Sequence, residues 1–324
     1  MDLGHLGDVI LSLPALISLR KGLPHAKITV LVASSTQDLF KLFPVVDELI
    51  PIDRSRLKSD WKIRSIAKIL GLVADVRRRR FDLVIDLHSL YETNILGFLS
   101  GADRRLFANR ENRSLDRLSN FRPKPPKEDK ALHLSSHYLN VLKPLEICSD
   151  GFVEDKSTFR FGRSSLNGFK PLDRDPDQKM IGLFVGAGHE SRRWSLENFA
   201  KLTERLAENI NAKVFVFLGP AERHFEDEVK RKFPSNTAVV SGLTLIELAA
   251  HLFQMDVLVS NDTGPMHLAA VAGTSVVLLL DDRAPRTYLP LTDELIIIGG
   301  ETLDLITVND VLAATLRLAG DARQ

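Results

Sequence analysis

Short β-branched apolar runs alternate with stretches of helical periodicity along almost the whole chain, and this limits the fold more than any other feature of the sequence. Lys27-Ile-Thr-Val-Leu-Val32 is a run of the kind that parallel sheets bury on both faces. Ile63, Ile66, Ile69, Leu70, Val73 and Val76 recur at steps of three and four, the stripe of an amphipathic helix. That helix leads into a second strand, Phe81-Asp-Leu-Val-Ile-Asp-Leu87, and residues 14–23 read as a helix near the N-terminus. The rhythm returns with strands at 180–185, 213–218, 257–259 and 276–280, separated by helices at 196–208, 244–253 and 266–272. Strand–helix alternation in both halves predicts an α/β protein of two doubly wound domains with parallel sheets.

A length of 324 residues suits two domains of ordinary size. Glycines and prolines among charges at 162–178 mark the expected linker, between a domain over 1–165 and another over 179–324. A proline- and lysine-rich stretch, 120–130, reads as a loop within the first. No uncharged run reaches the ~20 residues of a bilayer span, and no basic segment precedes the first apolar residues, so neither a transmembrane helix nor a signal peptide is expected. The lone Cys148 excludes an intrachain disulfide framework. Together these readings point to a cytoplasmic protein. The net charge of +1 conceals an asymmetry. Residues 1–170 carry 28 basic against 20 acidic side chains, and the remainder 15 against 22. The basic half suits an anionic partner, although such runs are often no more than solvated faces.

In open α/β sheets ligands bind beyond the carboxyl ends of the strands, and three loops there hold unusual residues. Leu3-Gly-His-Leu-Gly-Asp8 offers two glycines for a tight turn. Asp8 stands at a helix mouth, as a functional carboxylate or as an ordinary first-turn acid offsetting the helix dipole. Gly186-Ala-Gly188 is followed by Arg192-Arg193-Trp194-Ser195, a backbone able to approach a phosphate with cations nearby. Ser195 with Asn198 also reads as a helix start, and Trp194 as the apolar staple before it. Ser260-Asn-Asp-Thr-Gly-Pro-Met-His267 follows a strand and opens a helix. The N–H groups of Thr263, Gly264 and Met266 are expected to cradle an anion. Asp262 as a helix cap and His267 as a packed side chain are the plainer alternatives. Neither a GxSxG nor a GxxxxGK[ST] pattern occurs, which removes α/β-hydrolases and P-loop NTPases.

In this order, Gly7-Asp8 with Pro14-Ala15, Arg192-x-Trp194 and Asp262-Thr-Gly-Pro-Met-His267-Leu-Ala resemble glycosyltransferase family 9, the ADP-heptose:lipopolysaccharide heptosyltransferases. Phe81-Asp-Leu-Val-Ile-Asp-Leu87 and Gly219-Pro-Ala-Glu222 fit the same pattern, so the resemblance runs from residue 4 to about 315. It implies a GT-B fold, two Rossmann-like domains facing each other across a cleft, with acceptor bound by the first and nucleotide sugar by the second. The implied reaction is inverting transfer of heptose from ADP-heptose to the lipopolysaccharide inner core, without a metal or other cofactor. It implies an anionic acceptor at the inner face of the cytoplasmic membrane, and no nucleic acid partner.

Residue by residue, the resemblance implies Asp8 as catalytic base and Arg192 on the donor phosphates, where the family usually has lysine. It implies Thr263 and Gly264 on the phosphate turn, Asp262 beside the sugar, and Glu222 and Leu243 near adenosine. Gly186, Gly7, Arg193 and His267 complete the candidate set. Leu280-Asp281-Asp282 replaces the Phe-Gly that often follows the family's last strand. Only three residues precede Gly4, so the first strand of the N-terminal sheet is expected to be missing, through a start assigned too far downstream or through loss of the strand. Another nucleotide-sugar transfer in the same fold, or nucleotide binding without transfer, remains a competing reading.

Overall fold

The computed structural model describes the chain except for residues 2–3, 54–61, 111–113, 148–155, 167 and 321–324; Cys148 lies outside the described residues. The chain divides into two compact units, Met1–Asp155 and Lys156–Gln324. The stretch 162–178, expected as a linker, is packed on the second unit. Leu172 N–H donates to Gln254 Oε1 at 2.7 Å and Arg174 pairs with Asp256 at 2.9 Å; just before the stretch, Phe161 N–H donates to the Val271 carbonyl.

The first unit opens with α1 (Leu6–Gly22), which starts eight residues before the expected position. Its residues from Val9 to Leu16 are all buried, so no polar face marks its first turns in the sequence. Pro14 sits inside this helix. Next come β1 (Thr29–Ala33), α2 (Leu39–Leu42), β2 (Glu48–Ile52), α3 (Lys62–Arg78), β3 (Leu83–Asp86), α4 (Tyr91–Leu99), β4 (Arg104–Phe107) and α5 (Leu134–Leu142). Helix α1 packs on α5, where Ser135 Oγ donates to the Leu11 carbonyl at 2.8 Å.

Among the described residues β1 pairs only with β2, and β3 only with β4, both in parallel. No strand among the described residues joins the two pairs. A cavity of about 60 Å³ lined by Leu31, Ile50, Leu83, Val84 and Ile85 lies between them. Met1 occupies its rim: the terminal ammonium donates to the Ile85 carbonyl at 2.6 Å, and the side chain packs against the apolar clusters of both pairs.

The second unit is a single six-stranded parallel sheet: β5 (Lys179–Phe184), β6 (Ala212–Leu218), β7 (Ala238–Ser241), β8 (Val257–Asn261), β9 (Ser275–Asp281) and β10 (Leu295–Gly300). The spatial order is β10-β9-β8-β5-β6-β7. Counted from β5, this is the doubly wound 3-2-1-4-5-6 arrangement, with its switch point between β5 and β8. Helices α6 (Leu196–Asn209), α7 (Glu226–Lys232), α8 (Leu245–Leu252), α9 (Gly264–Ala272) and α10 (Val308–Leu318) flank it. The core centres on Trp194, Phe199, Val216, Val259 and Val277, all fully buried.

Candidate active site

The switch point fixes where the second unit can hold a ligand, because the chain leaves the carboxyl ends of β5 and β8 in opposite directions. Phe184 is in register with Ser260, so the loops from Gly186 and Asn261 begin side by side. Asn261 ties them together. Its Nδ2 donates to the carbonyls of Val185 and Gly186, at 3.2 and 3.0 Å, and its Oδ1 accepts the Trp194 N–H at 3.0 Å. Trp194 is the expected staple, set just before the Ser195 N-cap and packed on Phe199, and it is also a buried keystone. Its indole N–H donates to the Ile306 carbonyl at 3.0 Å, and its ring meets Phe199 edge-on.

With Trp194 anchored, the short helical turn Glu190–Arg192 carries Arg192 to the mouth of β8, where its guanidinium stands 3.9 Å from Asp262 Oδ2. The Arg192 side chain remains 58% exposed, so it is free to reach a ligand. Burial pushes the Asp262 carboxyl above its ordinary range, and Arg192 partly opposes that rise. Thr263, in an extended conformation, is the N-cap of α9 and Pro265 lies in its first turn. Asp262 therefore does not cap α9. The Met266 N–H donates to the Thr263 carbonyl at 3.2 Å, which reduces the expected three-amide cradle to Thr263 and Gly264. The start of a helix is a natural anion site for two such amides. His267 is buried one turn along α9.

Two glycines make room for Glu222. A Cβ on Gly186 would lie 2.4 Å from the Glu222 carboxyl carbon, and one on Gly219 would lie 2.6 Å from its Oε2. The carboxyl thus lies across the ends of β5 and β6, buried, and burial raises its proton affinity. Leu243 is half-buried just after Gly242, whose φ of +74° favours glycine. Arg193 turns to structural contacts instead, pairing with Glu190 at 3.2 Å and lying 4.5 Å from the Phe225 ring centre. Asp281, the last residue of β9, is held down to about 2 by hydrogen bonds from Arg283.

Asp8 and Gly7 belong to the first unit. Asp8 sits in the first turn of α1, where Oδ2 accepts the His5 N–H at 2.9 Å. Gly4 permits this, since a Cβ there would come within 2.4 Å of the Asp8 Cβ. A second carboxylate, unremarked in the sequence, ends β3. Asp86 is fully buried and accepts from Ser89 N–H at 2.9 Å and Asn94 Nδ2 at 2.7 Å. Ser89 takes a φ of +51° in the turn that follows. Burial raises the Asp86 carboxyl above its usual range.

The sequence profile described as "Glycosyltransferase family 9 (heptosyltransferase)" matches residues 69–310. The chain belongs to glycosyltransferase family 9. It is 25% identical to Lipooligosaccharide heptosyltransferase 2 of Campylobacter jejuni, over 85% of this chain and 77% of that protein. It is likewise 25% identical to Lipopolysaccharide heptosyltransferase 3 of Escherichia coli, over 84% and 80%. The solved structure of E. coli heptosyltransferase WaaC with ADP covers 98% of each chain at a TM-score of 0.80 and 18% identity. A family 9 structure from Veillonella parvula covers 99% and 96% at a TM-score of 0.79 and 24% identity. These likenesses extend through both units and give the family 9 chain a GT-B fold. It is a glycosyltransferase, and no helix among the described residues is long and apolar enough to cross a membrane.

Proposed function

We propose that this glycosyltransferase moves a heptose from ADP-heptose to the inner core of lipopolysaccharide, inverting the anomeric centre without a metal. The observation that carries the donor half is the pairing of Arg192 with the Asp262-Thr263-Gly264 turn at the switch point of the second unit. A departing ADP develops negative charge. Two helix-start amides fixed beforehand, joined by the exposed Arg192 guanidinium, stabilise that charge. Glu222 and Leu243 would border the adenosine, and Asp262 would lie beside the sugar. Relatives named as heptosyltransferases, and a fold shared with a structure that holds ADP, support this reading.

The first unit would take the acceptor. Inversion needs a base to remove the hydroxyl proton as the anomeric carbon is attacked, and Asp8 is the candidate. Its hydrogen bond from His5 N–H leaves the other carboxylate oxygen, Oδ1, for that proton. The acceptor would be an anionic saccharide presented at the inner face of the cytoplasmic membrane, which suits the basic first half of the chain.

The test is release of nucleotide from a panel of nucleotide sugars in the presence of lipopolysaccharide-core acceptors, with and without EDTA. ADP-heptose turnover that EDTA does not change is expected. Turnover only with another donor would replace the assigned sugar. ADP binding with no transfer from any donor would favour a non-catalytic nucleotide-binding role.

A further inference from the structure

We infer that α3 and α4 of the first unit form a docking face for an anionic lipid surface. The exposed residues of α4 are Tyr91, Glu92, Ile95, Phe98 and Leu99. Glu92 apart, all are apolar, and they recur at helical spacing on one side. Ile69 and Leu70 of α3 add to the same class, with Leu70 63% exposed. Six of the ten large apolar side chains exposed among the described residues thus lie on two helices that pack together.

The charge around this face identifies its partner. At the carboxyl ends of the two helices, Arg77, Arg78 and Arg80 share a surface depression with Ser100 and Gly101. Exposed Arg104 follows, and Arg105 lies 5.4 Å from the Phe98 ring centre. Asp82 and Asp103 are the acids of this rim, so the basic side chains prevail. An apolar helix face bordered by arginines matches a bilayer boundary, with apolar groups entering among acyl chains and guanidinium groups meeting lipid phosphates. A protein groove would satisfy the apolar stripe and leave the arginines unexplained. The inference rests on the proposed acceptor lying at a membrane, and it names the part of the enzyme that meets it.

The test is co-sedimentation of the purified chain with vesicles of phosphatidylcholine alone or mixed with phosphatidylglycerol, with no donor or acceptor present. Binding to the anionic vesicles is expected to exceed that to neutral ones by at least ~10-fold and to fall with added salt. Ile95→Glu with Phe98→Glu, or the milder Phe98→Ser, should weaken it by ~10-fold or more while the melting temperature is kept. Arg77→Glu with Arg78→Glu should remove the preference for anionic lipid. Transfer to a detergent-extracted acceptor, if the proposed function holds, should stay unchanged in all three variants. Equal binding by wild type and variants, no vesicle binding at all, or a wild-type dimer that these substitutions dissociate would each overturn the docking face. Loss of transfer from ADP-heptose in the wild type would instead count against the proposed function.

Discussion

The side chain of Asn261 accepts the backbone N–H of Trp194, 67 positions earlier in the chain, at 3.0 Å. Through this contact and its two donations to Val185 and Gly186, one carboxamide sets the position of both loops at the switch point. Replacing it should be felt in stability and binding together. Asn261→Ala is expected to destabilise the second unit by about 1–3 kcal/mol for each buried partner left unmade. Chemical denaturation and ADP titration should both register the loss. Asn261→Asp should do no better, because it keeps the acceptor and loses both donors.

Gly186→Ala places a methyl group 2.4 Å from the Glu222 carboxyl carbon. The expected cost is about 1–3 kcal/mol of stability, the range for overpacking a tight site. In a Glu222→Ala background the same substitution should cost little. A double-mutant cycle on thermal unfolding would measure that coupling, and additivity would mean that the contact is not what excludes a side chain at 186.

Asp8→Asn keeps an oxygen to accept the His5 N–H, so α1 should begin as before. Turnover is expected to fall ~10²–10⁴-fold, the usual contribution of a general base, with ADP affinity almost unchanged. Steady-state kinetics paired with calorimetric titration checks both halves. Wild-type turnover in the folded variant would remove Asp8 from the mechanism.

Burial raises the Asp262 carboxyl above its ordinary 3.8, and the charged form stands beside the proposed phosphate site. ADP should therefore bind more tightly as pH falls through that raised value, because the carboxyl becomes neutral and Arg192 is left to the ligand. Asp262→Asn should flatten this dependence while wild type retains it. Arg192→Ala should weaken ADP binding by about 1.5–3 kcal/mol, the scale of a hydrogen bond to a charged group, and Arg192→Lys should restore part of it. Titrations across pH for the four proteins would decide the matter.

The strands of the second unit were legible because its sheet is covered on both faces, which leaves near-continuous apolar runs such as 213–218 and 276–280. The half-buried β7 and β10 are less legible because they are the edge strands, and their apolar runs, Ala238-Val-Val240 and Leu295-Ile-Ile-Ile298, are short. The first turns of α1 were hidden by burial on every side. At the site, Arg192, Asp262, Thr263 and Gly264 stand out through local motif and lie together. Asn261 and Asp86 do not, because their roles depend on partners brought in by the sheet and by a strained turn at Ser89. Gly186 and Glu222 are both visible in the sequence, but their contact is not, because it joins the ends of two different strands.

The separation of β1–β2 from β3–β4 has a consequence for how the molecule loosens. In the second unit, opening any central strand disrupts pairing on both of its sides, so six strands protect one another. In the first, one pair can open while the other stays intact, with the Met1 and Phe81 side chains, which pack against the apolar clusters of both pairs, among the ties between them. Protection against amide hydrogen exchange should follow that division. It would be deep and uniform through β5, β6 and β8, and shallow in β1 and β3, whose inner edges face the cavity. Asp8 lies in the first turn of α1, and α1 packs on α5, so the position of that carboxylate is tied to the contact between these two helices.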